Sequence, residues 1–130
     1  MSNLGLVSAI EVLTREFGER AGVKVHAELQ AVKLRSGAEL TVYRLVQEAV
    51  TNLSKYAKAQ QVWVKLLSRN GMVVVSVRDD GVGFDPEALA GTSNGLVSMR
   101  FRIEAERGTL QVASAPGKGT TIEATLPESA

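Results

Sequence analysis

Cysteine is absent from all 130 residues. That excludes disulfide frameworks, thiolate metal sites and cysteine nucleophiles, and it permits a reducing compartment. An excess of either charge is also lacking, since fifteen basic residues against fourteen acidic ones leave a formal net charge of +1. Such a balance supplies no field for a phosphate backbone or an anionic membrane surface, so neither nucleic acid nor membrane is an expected partner. Apolar runs are only a few residues long, which excludes a spanning helix, and no basic-then-apolar leader opens the chain. What is present is enough for one core: 45% of the residues are hydrophobic in a chain of single-domain length. No repeat or low-complexity tract divides it. Glycine alone is uneven, because seven of the twelve (81, 83, 91, 95, 108, 117 and 119) follow position 80.

Periodicity orders the chain into elements. Leu6, Ile10, Leu13 and Phe17 recur at helical spacing and predict a helix over 5–20. Val23, Val25, Ala27 and Leu29 alternate with Lys24, His26 and Glu28, which predicts a strand with His26 pointing outward. Ser36 and Glu39 have capping-box spacing at the head of a helix running to about residue 58, with Val42, Val46, Val50, Leu53 and Ala57 on its core side. Two β-branched runs over 61–68 and 72–79 flank Arg69-Asn70-Gly71, a hairpin signal. Leu96, Met99 and Ile103 predict a further helix ended by Gly108, and strands over 109–113 and 120–126 surround Pro116-Gly117-Lys118-Gly119. Strands and helices out of strict alternation predict an α+β fold, with about three helices on one face of a mixed sheet.

Polar chemistry gathers at four places, each with an ordinary structural explanation when taken alone. Glu48, Asn52 and Lys55 fall at spacings of four and three, so they form one polar ridge on the second helix. A carboxylate, an amide oxygen and an ammonium suit a hard divalent cation bridging phosphate oxygens, although a solvated helix face carries the same residues. Asp79-Asp80-Gly81-Val82-Gly83-Phe84 ends a strand in a turn where glycine lets a ligand approach the backbone and a carboxylate accepts from an amino group. Gly91 to Leu96 enters a helix whose free N–H groups suit phosphate, with Asn94 equally able to serve as a plain N-cap. Thr120 opens the last strand with a hydroxyl.

Taken in order, these segments resemble the ATP-binding catalytic domain of sensor histidine kinases, in the superfamily shared with gyrase, Hsp90 and MutL. Tyr43 to Ala59 is similar to the N box, Asp79 to Phe84 to the G1 box, Ser93 to Met99 to the G2 box, and Ala115 to Thr121 to the closing segment. The wording Arg44-Leu45-Val46-Gln47-Glu48-Ala49 resembles the subfamily of the nitrate/nitrite sensors. Ser93 stands where the G2 box usually has glycine, and Tyr56 where the N box commonly has histidine. The resemblance implies a Bergerat-type α/β sandwich. It makes Asn52 the Mg²⁺ ligand, Glu48 its neighbour in proton transfer or water binding, and Lys55 a phosphate contact. It gives the adenine amine to Asp80, with Gly81, Gly83 and Thr120 shaping that pocket, and places Ser93, Asn94, Gly95 and Leu96 at the phosphates beside a lid over 84–95.

The implied function is to bind Mg²⁺-ATP and supply its γ-phosphoryl group to a histidine on the kinase's dimerization domain, in two-component signalling. The implied parent is a homodimer acting on a response regulator, and the domain is expected in the cytoplasm whether or not its parent is anchored in a membrane. The helix expected to carry the acceptor is missing and His26 is the only histidine, so the chain by itself is not expected to phosphorylate itself. Two other readings share the pocket: a nucleotide-binding interaction module without transfer, and a serine kinase of the anti-sigma type.

Overall fold

The computed structural model describes residues 3–52, 59–81, 94–114, 117 and 119–128. The chain runs α1 (Asn3–Ala21), β1 (Lys24–Leu29), α2 (Ser36–Asn52), β2 (Gln61–Arg69), β3 (Met72–Asp79), α3 (Asn94–Ala105), β4 (Thr109–Ser114) and β5 (Thr120–Pro127). The five strands form one sheet in the order β1-β2-β3-β5-β4. β1 pairs with β2 in parallel and every other pair is antiparallel, so the sheet is mixed, as expected.

Strand alternation decides which face is covered. Val62, Val64 and Leu66 of β2, Val73, Val75 and Val77 of β3, and Ile122, Ala124 and Leu126 of β5 are buried. They meet Leu6, Ile10 and Phe17 of α1, Val42, Leu45, Val46 and Ala49 of α2, and Met99 and Ile103 of α3 in one core. The other face of the sheet carries no helix among the described residues. There Trp63 is stacked on His26, with ring centroids 5.4 Å apart, and the Arg78 guanidinium lies 5.1 Å from the Trp63 ring. His26 also bonds Gln61 Oε1 through Nε2 at 2.9 Å. This His-Trp-Arg row ties β1, β2 and β3 together on the outer face.

Several local expectations hold and several shift. Asn70 and Gly71, at φ 52° and 78°, make the β2–β3 turn with the paired positive angles of a tight hairpin. Ala27 is exposed rather than buried, because β1 is an edge strand and α1 covers only part of it. The Ser36–Glu39 capping box does not form: Glu39 N–H donates to Arg35 O at 2.9 Å, so Arg35 occupies the cap. Glu39 instead turns inward, buried, with Oε2 unpartnered among the described residues. Residues 53–58, which include Leu53 and Ala57, lie outside the described residues.

The end of α3 is also more specific than expected. Arg107, at φ 64°, takes the left-handed position, with Gly108 N–H donating to Ile103 O at 2.9 Å and Arg107 N–H to Glu104 O at 3.0 Å. That is a Schellman cap with Gly108 one residue beyond the left-handed residue. Glycine is needed at 108 for space, since a Cβ there would lie 2.6 Å from Thr125 O and 2.9 Å from Ile103 Cγ2. Gly108→Ala should therefore destabilise the fold by about 2 kcal/mol through overpacking, read as a lower urea midpoint at unchanged slope.

Candidate functional site

The site is built where β3 and β5 end their ladder. Asp79 is the last residue of β3 and pairs with Thr120, the first of β5. It follows Val73, Val75 and Val77 on the covered face, so strand parity carries its carboxylate inward, and it is buried to 3% exposure. Asp79 Oδ1 accepts the Gly81 N–H at 2.7 Å across the turn. Burial raises the Asp79 pKa above the usual carboxylate value, and the neighbouring Asp80 charge adds to the rise, while the N–H groups of Gly81 and Thr120 oppose it.

The opposite wall comes from the closing turn. Gly119 has φ 75°, and a Cβ at that position would stand 2.3 Å from Asp79 O, so only glycine fits against the end of β3. Thr120 is buried, and its hydroxyl bonds Ser114 Oγ at 2.8 Å. Ser114 Oγ in turn donates to Gly119 O at 3.0 Å, which fixes the turn to β4. A buried carboxylate, a fixed hydroxyl and a glycine packed against the strand end thus converge at one end of the sheet. Such a set suits a planar ligand bearing an amino donor.

The expected residues are placed unequally. Thr120 and Gly81 belong to this site. Asp80 does not extend into it: its carboxylate is exposed, and Oδ1 accepts the N–H groups of Gln60 and Gln61, both at 2.9 Å. These bonds, Gln61 first, lower its pKa below the usual carboxylate value. The carboxylate buried at this end of the sheet is thus Asp79, one residue before the expected Asp80. Alternation alone could have found it, because residue 79 shares parity with the buried valines and residue 80 does not.

Glu48 is half-buried on α2, and Asn52 follows one turn later as the last residue of the described helix. A carboxylate and an amide are donor types that a hard cation takes together with phosphate and water. Among the described residues no group of three or more histidine, cysteine, aspartate or glutamate side chains could hold a metal by itself. Asn94, Gly95 and Leu96 form the first turn of α3. Lys55, Gly83 and Ser93 lie outside the described residues, as does the expected lid up to residue 93.

A second cleft, of about 420 Å³, lies at the other end of α2 and β5 and is lined by Leu34, Arg35, Ala38, Glu106 and Pro127. Within it Arg35 Nη2 pairs with Glu106 Oε2 at 2.5 Å. Among the described residues no helix is long and apolar enough to cross a membrane.

Comparison with known proteins identifies the family and the fold. The family of histidine kinase-, DNA gyrase B- and HSP90-like ATPases matches residues 37–130. The chain belongs to that family, and within it to the ATP-binding domains of sensor histidine kinases. It is 38% identical over its whole length to the sensor histidine kinase MctS of Rhizobium johnstonii, of which it covers 29%. It is 33% identical to the sensor histidine kinase LiaS of Bacillus subtilis, over 95% of this chain and 34% of that one. The chain thus spans about a third of the curated relatives it matches. The histidine kinase domain of the blue-light activated kinase of Erythrobacter litoralis superposes with a TM-score of 0.82 at 20% identity, over 95% of this chain and 61% of that one. The mycobacterial sensor histidine kinase MprB gives 0.74 at 19% identity, over 93% of each chain. These likenesses establish the α+β fold.

The raised pKa of Asp79 has a consequence for stability. The folded state holds this proton more tightly than the unfolded chain does, so the contribution is favourable at low pH. It is lost as pH rises from the unfolded value of 3.8 through the raised folded one. Asp79→Asn keeps an acceptor for Gly81 and removes that loss. Urea midpoints should show it more stable than the parent at pH 7, with the difference closing in acid.

Proposed function

We propose that this domain binds Mg²⁺-ATP and supplies its γ-phosphoryl group to a histidine on the dimerization domain of a sensor kinase in two-component signalling. The observation that carries the reading is the buried Asp79 beside Thr120 and Gly119, in a chain of this ATPase family. Asp79 accepts from the adenine amino group, and Gly81 leaves room for the ring edge. Thr120 holds the adenine side of the pocket through its hydroxyl.

The triphosphate then extends toward the end of α2 and the start of α3. Asn52 is the group that would hold Mg²⁺, with Glu48 beside it, and the ion would offset phosphate charge when bound. Lys55, Ser93, Asn94, Gly95 and Leu96 serve the phosphates, and Gly83 the pocket, as the family resemblance implies. The catalytic contribution of such a site is placement and charge neutralisation, so the domain requires no nucleophile of its own. Glu48 orients the acceptor or receives its proton.

The acceptor belongs to another domain. His26 is committed to the Trp63 stack and to Gln61 on the outer face of β1, which supports the view that the chain does not phosphorylate itself. The parent kinase is a homodimer that passes the phosphoryl group to a response regulator, and this domain works in the cytoplasm.

Isothermal titration tests the reading. ATP should bind the parent chain, and Asp79→Asn should weaken it by about a hundredfold, the scale of a lost hydrogen bond to a charged, buried acceptor. Asn52→Ala should bind ATP equally with and without Mg²⁺. Unchanged affinity in Asp79→Asn would remove the adenine role.

A further inference from the structure

Asp80 faces away from the buried Asp79 carboxylate, yet it is heavily bonded to neighbouring backbone. Its Oδ1 accepts both Gln60 N–H and Gln61 N–H at 2.9 Å, and its own N–H donates to Gln61 O at 3.2 Å. Gln60 O in turn accepts Lys24 N–H at 3.0 Å, and the Gln61 side chain bonds His26. One side chain thus gathers the starts of β1 and β2 onto the end of β3. From the opposite side Gly119 closes on the same backbone, its hypothetical Cβ falling 2.3 Å from Asp79 O and 3.4 Å from Asp80 Cα.

We infer that Asp80 is a positioning residue for nucleotide binding: by clamping the start of β2 it fixes the Asp79–Gly81 turn, and with it the direction of the Asp79 carboxylate. This inference rests on the reading of Asp79 given above. The turn has a wall on each side. Gly119 limits movement toward β5 by contact, and the Asp80 clamp limits movement toward β2 by hydrogen bonds. Without the clamp, the Asp79 side chain keeps its Gly81 bond, but the turn that carries both is held toward β2 by the longer Asp80 N–H bond to Gln61 O and pivots more easily about the end of β3. The inference also explains why two adjacent carboxylates are tolerated despite their mutual repulsion. One meets the ligand, and the other neutralises two backbone donors that would otherwise face an open strand end.

The test compares three variants by titration with ADP and follows the parent's amides by hydrogen exchange. Asp80→Ala should bind ADP about tenfold more weakly, while Asp80→Asn, whose amide oxygen accepts from the same two donors, should recover most of the loss. A residue that only supports the fold would lower thermal stability in Asp80→Ala, restored in Asp80→Asn, and leave ADP affinity unchanged. In the unsubstituted chain, ADP should slow exchange of the Gln60 and Gln61 amides, because coupling between clamp and pocket is reciprocal. That measurement holds even if Asp80→Ala does not fold. Asp79→Asn separates the two claims. If it loses ADP while Asp80→Ala binds like the parent, or if ADP leaves both amides unaffected, the positioning role is wrong and the adenine role stands. If Asp79→Asn binds like the parent, the adenine role fails and the positioning role falls with it.

Discussion

A carboxylate taken out of water costs several kcal/mol unless it neutralises or finds donors, and the end of β3 buries one. Asp79 has the Gly81 N–H on one oxygen and a raised pKa, so the isolated fold holds it at a disadvantage that a ligand's amino group can relieve. Everything around it serves that placement. The β3–β5 ladder sets Asp79 against Thr120, Gly119 makes room that no other residue would leave, and Ser114 pins the closing turn.

The remaining architecture divides the work between the two faces of the sheet. On the covered face, α2 and α3 pack over the valine rows and deliver Glu48, Asn52 and the first turn of α3 to one end of the core. At the other end, Arg35 and Glu106 join the start of α2 to the turn after α3, so the two helices are tied at the end away from Asp79. On the outer face, the His26, Trp63 and Arg78 row stiffens the strands that hold the Asp80 clamp.

Much of this was legible in the sequence. Alternation and the Asn70-Gly71 pair located the hairpin, and the helical stripes located the three described helices, because long amphipathic patterns survive tertiary context. The family was legible because four boxes occur in order. What failed depended on partners distant in sequence. Glu39 reads locally as a capping residue but is buried, since Val32 and Leu34 draw the preceding segment into the core and Arg35 turns to Glu106. Ala27 reads as core, yet the strand order puts β1 at the edge. Gly108 reads as the left-handed stop, whereas Arg107 takes that conformation and Gly108 is kept by Thr125. Choosing between Asp79 and Asp80 required only extending the parity of β3 by two residues, and that signal was available.

The account stands on nucleotide entering at the Asp79 end of the sheet. A two-dimensional amide NMR titration with ADP observes both ends at once. The predicted result is a saturable set of shifts centred on Asp79, Gly81, Gly119 and Thr120, with the residues around Arg35 and Glu106 unmoved. Shifts confined to that second cleft, or none at millimolar nucleotide, would contradict it.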